Sequence, residues 1–338
     1  MLNIALPNDE VRGAAFYLAM EEYVARHVLP SLPPDDSSPN PGGHADCFFL
    51  WQVPPSVIFG RNQLIENEVN LDFCRSHHIH AYRRKSGGGC VYADMNNIML
   101  SYVTDDDQVG FTFNRYITMI LAMLHRLGID ASATGRNDIM IGNRKVSGNA
   151  FYKIQNRSIV HGTMLYDTDM INMVGAITPN SGKLLTKGIV SVRQRVALLK
   201  DYTTLTLPEL KKHVLTTLCD RQLMLTPDDV DAIRQLEQDY LTPEFIYGKN
   251  PPYTIVRRRR IEGVGDLEAR ITLNRGVIKS VNLMGDYLLV GDLDHGLLAK
   301  LVNQSLTREH LWRRLPDRID DIVMNLMKED FIQLLTEE

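Results

Sequence analysis

Apolar positions near the start of the chain recur at helical spacing, which predicts an amphipathic helix over residues 9–29. The apolar residues on its common face are Val11, Ala15, Leu18, Ala25 and Leu29. Glu22 falls on the same stripe, and a buried carboxylate needs an ionic or hydrogen-bonding partner. We therefore predict a structural rather than a catalytic role for Glu22.

The next part of the chain alternates between loop and apolar runs. Residues 30–46 are rich in Pro, Ser and Gly, and this composition predicts a loop. Residues 48–53 and 56–60 then predict two strands on either side of Pro54-Pro55. A helix is predicted to end at Gly128, and its apolar stripe is Phe113, Ile117, Ile120, Leu121 and Leu124.

Pro and Gly interrupt the pattern over residues 242–252, which predicts a domain boundary. A chain of 338 residues also exceeds the usual length of a single domain. We therefore expect a first domain over residues 1–246 and a second, smaller domain over residues 253–338.

The smaller domain is predicted to be an α/β module. Residues 267–273 and 277–283 flank an Asn-Arg-Gly turn, which is typical of a β-hairpin, and helical patterns follow over 295–305 and 317–336. The arginine run 257–260 would suit an anionic partner, but its position along a strand favours solvent-exposed side chains.

Composition excludes several classes of protein. The chain has 37 Lys+Arg against 41 Asp+Glu and a net charge of −4, which argues against a dedicated nucleic-acid binder. Its four cysteines form no C-x-x-C pair, so neither a zinc ribbon nor a disulfide framework is indicated. Because it shows neither a signal-peptide pattern nor an apolar run of membrane-spanning length, we expect a cytoplasmic protein without membrane contact. A monomer is the default expectation.

The segment with the clearest chemistry is Arg83-Arg84-Lys85-Ser86-Gly87-Gly88-Gly89-Cys90-Val91-Tyr92-Ala93-Asp94. Consecutive glycines allow backbone N–H groups to close around a ligand, and the arginines offer forked donors for phosphate or carboxylate. The run is neither a Walker A loop nor a dinucleotide-binding fingerprint, because it has a different glycine spacing and no closing Gly-Lys-Ser/Thr. It predicts an anion-binding loop, with a flexible turn as the alternative.

A second segment, residues 135–150, predicts a strand, a tight turn at Gly142-Asn143 and a second strand. Lys145 lies beside Ser147-Gly148, where an ammonium group can act as a point charge against phosphate. Asn137-Asp138 opens the segment, and a carboxylate beside phosphates is a common ligand of Mg²⁺. The alternative is a solvated hairpin with ordinary surface side chains.

Two further segments extend this pattern. His161-Gly162-Thr163 follows an apolar pair, and a glycine inside a strand often marks the close approach of a ligand or of backbone. Residues 183–196 contain four cations among apolar residues. They fit either a mobile basic loop that closes over an anion or a plain surface segment.

Taken in order, these segments resemble the lipoate–protein ligase family. The matching motifs are Trp51, Val57-Ile58-Phe59-Gly60-Arg61-Asn62-Gln63, the glycine run, Gly135-Arg136-Asn137-Asp138-Ile139, Arg144-Lys145-Val146-Ser147-Gly148, His161-Gly162-Thr163 and Lys187-Gly188-Ile189. The resemblance covers nearly the whole chain. It implies an α/β (α+β) fold in which a biotin/lipoyl-ligase-like, class II synthetase-like catalytic domain has a mixed sheet flanked by helices. A small α/β C-terminal domain follows it.

The resemblance also implies a two-step reaction. Lipoate and ATP, with Mg²⁺, form lipoyl-adenylate and pyrophosphate, and the lipoyl group then passes to a lysine of an acceptor lipoyl domain. The implied acceptors are E2 subunits of 2-oxoacid dehydrogenases and the H protein of glycine cleavage. Such chemistry brings two anions together, so the site needs cations and N–H donors more than it needs an acid or a base. Preference for lipoate or octanoate depends on the depth of the pocket.

Site residues follow from the same resemblance. Lys145 is the implied catalytic residue, which contacts both the lipoate carboxylate and the adenylate phosphate. The implied ATP- and adenylate-binding residues are Arg84, Gly89, Cys90, Val91, Tyr92, Asn137, Asp138 and Lys145, with Asp138 as the metal ligand. The implied lipoate-binding residues are Trp51, Gly88, Lys145 and His161.

Two positions depart from the family pattern. Cys90 stands where the family usually has alanine, and Ala93 where it usually has histidine, but both are small and we expect binding to survive. Cys90 raises a rival function, since octanoyltransferases share the fold and use a cysteine nucleophile without ATP. Their nucleophile does not directly follow the glycine run, so a packed, inert Cys90 is favoured. A third hypothesis, a catalytically silent lipoate- or nucleotide-binding paralogue, is disfavoured by the intact Lys145.

Overall fold

The computed structural model describes residues 1–35, 43–106, 108–135, 137–177, 192–248, 254–274 and 276–337. The strands of the first domain, in chain order, are β1 (Leu2–Ala5), β2 (Cys47–Trp51), β3 (Ser56–Phe59), β4 (His80–Arg83), β5 (Val91–Ala93), β6 (Ile98–Thr104), β7 (Ala131–Ala133), β8 (Asp138–Ile141), β9 (Arg144–Ile154), β10 (Arg157–Met164) and β11 (Arg221–Met224).

Eight of these strands form one mixed sheet in the order β11-β1-β2-β6-β10-β9-β8-β7. Strand β1 pairs in parallel with both β2 and β11, and the remaining neighbours are antiparallel. The long central strands are almost continuously buried, because helices cover the sheet. The predicted mixed sheet flanked by helices is confirmed.

The other three strands form a small sheet in the order β4-β3-β5. The predicted strands 48–53 and 56–60 are both present, but they belong to different sheets. Residues 84–90, which we call the glycine loop, connect β4 to β5. The small sheet therefore carries the glycine loop to the large sheet, where Ser86 contacts His161 of β10.

Both helices predicted in the first domain, over residues 9–29 and up to Gly128, have a counterpart in the structure. The helix Ala14–Tyr23 continues through a π-helical turn, Val24–Val28, into a last turn at Leu29–Ser31. It begins later than residue 9 because Gly13 is its N-cap, so Val11 is exposed rather than buried. The remaining helices are Ile65–Glu68, Leu71–Ser76, Val109–Arg126, Met170–Ile177, Leu207–Leu218, Pro227–Leu241 and Pro243–Tyr247.

Glu22 has the structural environment that its position predicted. It is buried, and its carboxylate pairs with Arg26 at 2.8 Å and with Lys85. Burial opposes ionisation, yet hydrogen bonds from these two cations hold the pKa of Glu22 below its usual value. The Lys85 ammonium is thereby engaged by the Glu22 carboxylate.

The second domain is a three-stranded antiparallel sheet with helices packed on it. Its strands are β12 (Ile255–Ile261), β13 (Gly265–Asn274) and β14 (Val277–Gly285), and its helices are Leu293–Gly296, Arg308–Arg314 and Lys328–Thr336. The β13–β14 hairpin is at the predicted place, although Arg275 of its turn lies outside the described residues. The predicted helices over 295–305 and 317–336 are wrong in extent. Asn303 and Asn325 adopt positive φ, which interrupts helical geometry within each predicted range.

The arginine run occupies β12 with its side chains in ion pairs. Arg258 pairs with Glu268 at 2.6 Å, and Arg260 pairs with Asp266 at 2.8 Å. Both arginines are largely exposed, as the strand alternation predicted.

The two domains meet at the glycine loop. The N–H of Gly88 donates to the carbonyl of Tyr287 at 3.0 Å. The N–H of Gly285 donates to the carbonyl of Asn62 at 2.9 Å. Leu288 is buried in the core cluster of the first domain. Residues 249–253 lie outside the described residues, so the domain limits 1–246 and 253–338 remain a prediction. In the described part of the chain, no helix is long and apolar enough to cross a membrane.

Candidate active site

A cleft of about 510 Å³, including its open mouth, lies between the glycine loop, β9, β10 and the helix Ala14–Tyr23. One wall is apolar and includes Leu18, Ile58 and Met99. The predicted site residues that line the cleft are Trp51, Arg84, Gly89, Cys90, Val91, Asn137, Lys145 and His161.

An ion pair between Lys145 and Asp138 forms the polar end of the cleft. Lys145 Nζ lies 2.8 Å from Asp138 Oδ1, and the Lys145 side chain keeps 37 % of its surface exposed. The lysine crosses Gly148, where an added Cβ would lie 2.7 Å from Nζ and 2.8 Å from Cε. The absence of a side chain at Gly148 therefore lets the ammonium reach Asp138. The Lys145 ammonium is the group of this pair that can place positive charge against a bound anion.

Arg84 organises the glycine loop. Its guanidinium donates to the hydroxyl of Ser86 at 2.9 Å, to the carbonyl of Ile58 at 2.8 Å and to the carbonyls of Gly87 and Gly89 at 2.7 Å each. Burial lowers the pKa of Arg84 to about 10, so the group stays charged at neutral pH. Most of its donors thus serve the protein itself, and its predicted contact with nucleotide stays a prediction.

Arg83 has no access to the cleft. It is 1 % exposed, and it donates to the carbonyls of Ile246, Arg61 and Gln63 at 2.8–3.0 Å. The expectation that its fork faces an anion is therefore wrong. Arg83 is the last residue of β4 and Arg84 the first of the glycine loop, and of the two only Arg84 lines the cleft.

Two of the three glycines of the loop are required by close packing or by backbone geometry. A Cβ at Gly87 would lie 2.4 Å from the carbonyl oxygen of Tyr287, and Gly88 has φ +85°. Because the Gly88 N–H already donates to Tyr287, it does not face a ligand. Gly88 is absent from the described lining of the cleft, whereas Gly89 is part of it. The predicted lipoate contact of Gly88 has no support in this arrangement.

The residues after the loop divide between two sides of β5. Val91 lines the cleft, but the Tyr92 side chain packs in the apolar cluster behind it, with Val57 and Phe59. Tyr92 is not among the described residues of the lining, and its predicted role in nucleotide binding stays a prediction. Cys90 lines the cleft and is half-buried, and burial raises the pKa of its thiol, which keeps it protonated.

A buried hydrogen-bond network, centred on Glu21, supports the apolar end of the cleft. The Glu21 carboxylate is fully buried, and it contacts His161 Nδ1 at 2.9 Å and accepts from the Ser101 hydroxyl at 2.5 Å. His161 Nε2 in turn lies 2.7 Å from the Ser86 hydroxyl. The indole of Trp51 donates to Ser101 at 2.9 Å. The network joins the helix Ala14–Tyr23 to the glycine loop.

Sequence reasoning missed Glu21. It selected the neighbouring Glu22, although Glu21 also follows Leu18 at helical spacing. A pair of carboxylates in an apolar helix was the available signal, because each of them needs a partner when buried. The partners come from β6 and β10, which are distant in sequence.

The described residues contain no cluster of three or more His, Cys, Asp or Glu side chains suited to a metal ion. Asp138 is therefore a single carboxylate beside the cleft. Mg²⁺ is commonly held by one or two carboxylates together with substrate phosphates, so this donor fits that ion only when phosphates are present.

Part of the predicted site lies outside the described residues. This holds for Arg136 and for residues 178–191, which include Lys183, Lys187 and most of the predicted basic loop. Residues 192–195 form a helical turn next to Val196, which bridges to Lys145.

Family models match both domains. Residues 14–219 match the lipoyl protein ligase A/B catalytic domain, and residues 250–335 match the bacterial lipoate protein ligase C-terminus. The chain belongs to the lipoate–protein ligase family. The expected family is thereby confirmed from two independent segments of the sequence.

Relatives in this family extend over most of the chain. "Lipoate--protein ligase 1" of Staphylococcus aureus (strain Mu50) is 36 % identical over 297 residues, which cover 85 % of this chain and 86 % of that protein. "Lipoate-protein ligase LplJ" of Bacillus subtilis (strain 168) is 28 % identical over 347 residues and covers 98 % of this chain and 99 % of its own length.

Solved structures share the fold. P. falciparum LipL1 in complex with lipoate has a TM-score of 0.72 at 21 % identity and covers 98 % of this chain and 97 % of its own. A bi-partite lipoate protein ligase from Thermoplasma acidophilum, solved with its E2 lipoyl domain, has a TM-score of 0.62 at 25 % identity over 75 % and 100 % of the two chains. Lipoate-protein ligase A bound with ATP has a TM-score of 0.58 at 25 % identity and covers 73 % of this chain and 97 % of its own.

Proposed function

We propose that this lipoate–protein ligase activates lipoate with ATP as lipoyl-adenylate and transfers the lipoyl group to a lysine of an acceptor lipoyl domain. The observation that carries the proposal is the Lys145–Asp138 pair at one end of a cleft that also has an apolar wall. Such a cleft suits a ligand with an apolar tail and an anionic head. Relatives named lipoate–protein ligase, and one solved with ATP, support the same reaction.

The first step needs electrostatic help more than proton transfer. The lipoate carboxylate attacks the α-phosphate of ATP, its oxygen forms the new bond to phosphorus, and pyrophosphate leaves with the electron pair of the broken bond. Lys145 would lie between the two anions and reduce their repulsion. Trp51, which stacks on Tyr17 with ring centroids 5.0 Å apart, would hold the apolar tail.

Mg²⁺ is part of the proposal through Asp138. The carboxylate would hold the ion jointly with phosphate oxygens of ATP, and the ion would neutralise part of the phosphate charge. Asn137 would remain next to it as a polar neighbour.

In the second step, the acceptor lysine attacks the carbonyl carbon of the adenylate and AMP leaves. The partner class is a lipoyl domain, as in the Thermoplasma acidophilum ligase that was solved with its E2 lipoyl domain. E2 subunits of 2-oxoacid dehydrogenases and the H protein of glycine cleavage are the proposed acceptors.

Incubation with ATP, Mg²⁺ and lipoate should release pyrophosphate, and addition of an apo lipoyl domain should then increase the mass of that domain by one lipoyl group. An acceptor with its target lysine replaced by arginine is the control, and it should gain no mass. Acyl transfer from a carrier without pyrophosphate release would instead indicate an acyltransferase. Ligand binding without either product would indicate a silent paralogue.

Replacement Cys90→Ala should leave both steps within about twofold of the unmutated protein. Burial keeps the thiol protonated, so it is a poor nucleophile, and a small side chain fills the same space. Pyrophosphate release and acceptor mass gain are measured side by side for the two proteins. Loss of all lipoyl transfer in this variant would support a cysteine-dependent acyltransferase and contradict the proposed mechanism.

A further inference from the structure

A buried amide joins the two strands that carry the Lys145–Asp138 pair. Asn149 on β9 is 2 % exposed, and both its main-chain N–H and its side-chain Nδ2 donate to the carbonyl of Asn137 at 3.0 Å. Asn137 Nδ2 donates back to the carbonyl of Asn149 at 2.8 Å. Three hydrogen bonds thus hold the residue that directly precedes Asp138.

This part of the sheet needs such a connection. The β8–β9 ladder shifts register between Ile139 and Met140 before it resumes at Met140–Lys145, so an irregularity lies only one residue beyond Asp138. Among the described strands, only the three-residue edge strand β7 lies beyond β8. Backbone pairing alone is therefore weak at the point where Asp138 must meet Lys145.

The neighbouring strand is shaped to accommodate the same amide. Gly162 of β10 pairs with Asn149, and a Cβ at this glycine would lie only 1.9 Å from Asn149 Oδ1. The hydroxyl of Ser147 donates to that oxygen at 3.2 Å, which fixes the orientation of the amide. A glycine inside a strand lowers its stability, and here the Asn149 side chain supplies the reason for it.

We propose that Asn149 is a positioning residue for adenylate formation, acting through Asn137 to hold Asp138 against Lys145. The inference rests on the proposed function. Without the Nδ2 contact, Asn137 and Asp138 can move away from Lys145, and the cationic end of the cleft loses its geometry. Gly162 is part of the same arrangement, because a side chain at this position would displace the Asn149 amide.

The test compares initial rates of pyrophosphate release with lipoate, ATP and Mg²⁺. Asn149→Ala should lower kcat by on the order of 10- to 100-fold, the usual cost of misplacing a reacting group by about 1 Å. The KM for lipoate should stay near that of the unmutated protein, because the apolar wall is unchanged. A matched control is Asn97→Ala, which removes another amide, 1 % exposed, with bonds to Asp94, Thr168 and Tyr166 outside the cleft. It should lower the melting temperature similarly and leave kcat nearly normal.

A double-mutant comparison tests the coupling. Gly162→Ala alone should lower kcat much as Asn149→Ala does, yet it should add little in the Asn149→Ala background, where the 1.9 Å contact with Asn149 Oδ1 is gone and the contact with the Tyr116 hydroxyl at 3.0 Å remains. Normal kcat for folded Asn149→Ala, or fully additive effects, would overturn the inference. If Asn149→Ala does not fold, Asn149→Ser, which keeps a small polar side chain but loses the Nδ2 donor, takes its place. Absence of pyrophosphate release by the unmutated protein would instead reject the proposed function.

Discussion

Lys145→Ala is expected to lower the rate of adenylate formation by about 100- to 1,000-fold, the usual cost of removing a preorganised electrostatic group. The ammonium lies 2.8 Å from Asp138 and faces the cleft, so its loss leaves two approaching anions without a cation between them. The fold should be retained, because the side chain is 37 % exposed and Asp138 can be solvated. Pyrophosphate release at saturating ATP and lipoate measures the effect.

Lys153→Ala is the matched control, since Lys153 is an exposed lysine on the same strand outside the lining of the cleft. It should retain normal activity. Near-normal pyrophosphate release by Lys145→Ala, with the control also normal, would rule out the assigned role.

Gly148→Ala supports the same point without removing the charge. The new Cβ would meet only the flexible end of the Lys145 side chain, so stability should change little. The ammonium would have to move away from Asp138, and adenylate formation should fall. Retained activity in this variant would mean that the crossing of Gly148 by Lys145 is not needed.

Arg84→Lys is expected to lower the free energy of unfolding by about 3 kcal/mol, as charged hydrogen bonds to the glycine loop are lost. Lysine keeps the positive charge but lacks the planar fork that reaches Ser86, Ile58, Gly87 and Gly89 together. Lipoate and ATP should both bind more weakly, because the glycine loop would lose the hydrogen bonds that order it beside the cleft. Urea denaturation and calorimetric titration measure the two effects.

Arg61→Lys serves as the control for this substitution. Arg61 is exposed, so its replacement should change stability by no more than about 0.5 kcal/mol. A stable Arg84→Lys protein that loses affinity for ATP alone would show that Arg84 acts on phosphate rather than on the loop.

Local pattern was sufficient for many elements of the fold. Helical spacing located the helix Val109–Arg126, and glycine and proline signals located the two strands Cys47–Trp51 and Ser56–Phe59. Local pattern failed in the second domain, where positive φ at Asn303 and Asn325 breaks the predicted helices. Such residues are tolerated because tertiary contacts compensate for local preference.

The sequence by itself determined the kinds of groups at the candidate site: a glycine run after two arginines, a Lys-x-Ser-Gly segment and an Asn-Asp pair. Their order and spacing also determined the family. Residue type identifies chemistry because charge, hydrogen-bonding capacity and backbone freedom are properties of single residues.

Only the tertiary structure decided which of these groups face the cleft. In the folded protein, Arg83 donates to the carbonyls of Ile246 and Gln63, and the guanidinium of Arg84 orders the glycine loop. The tertiary structure also placed Glu21 against His161, a contact between residues far apart in the chain. The direction of a side chain depends on strand pairing and on the burial of carbonyl groups, which arise when distant segments pack together.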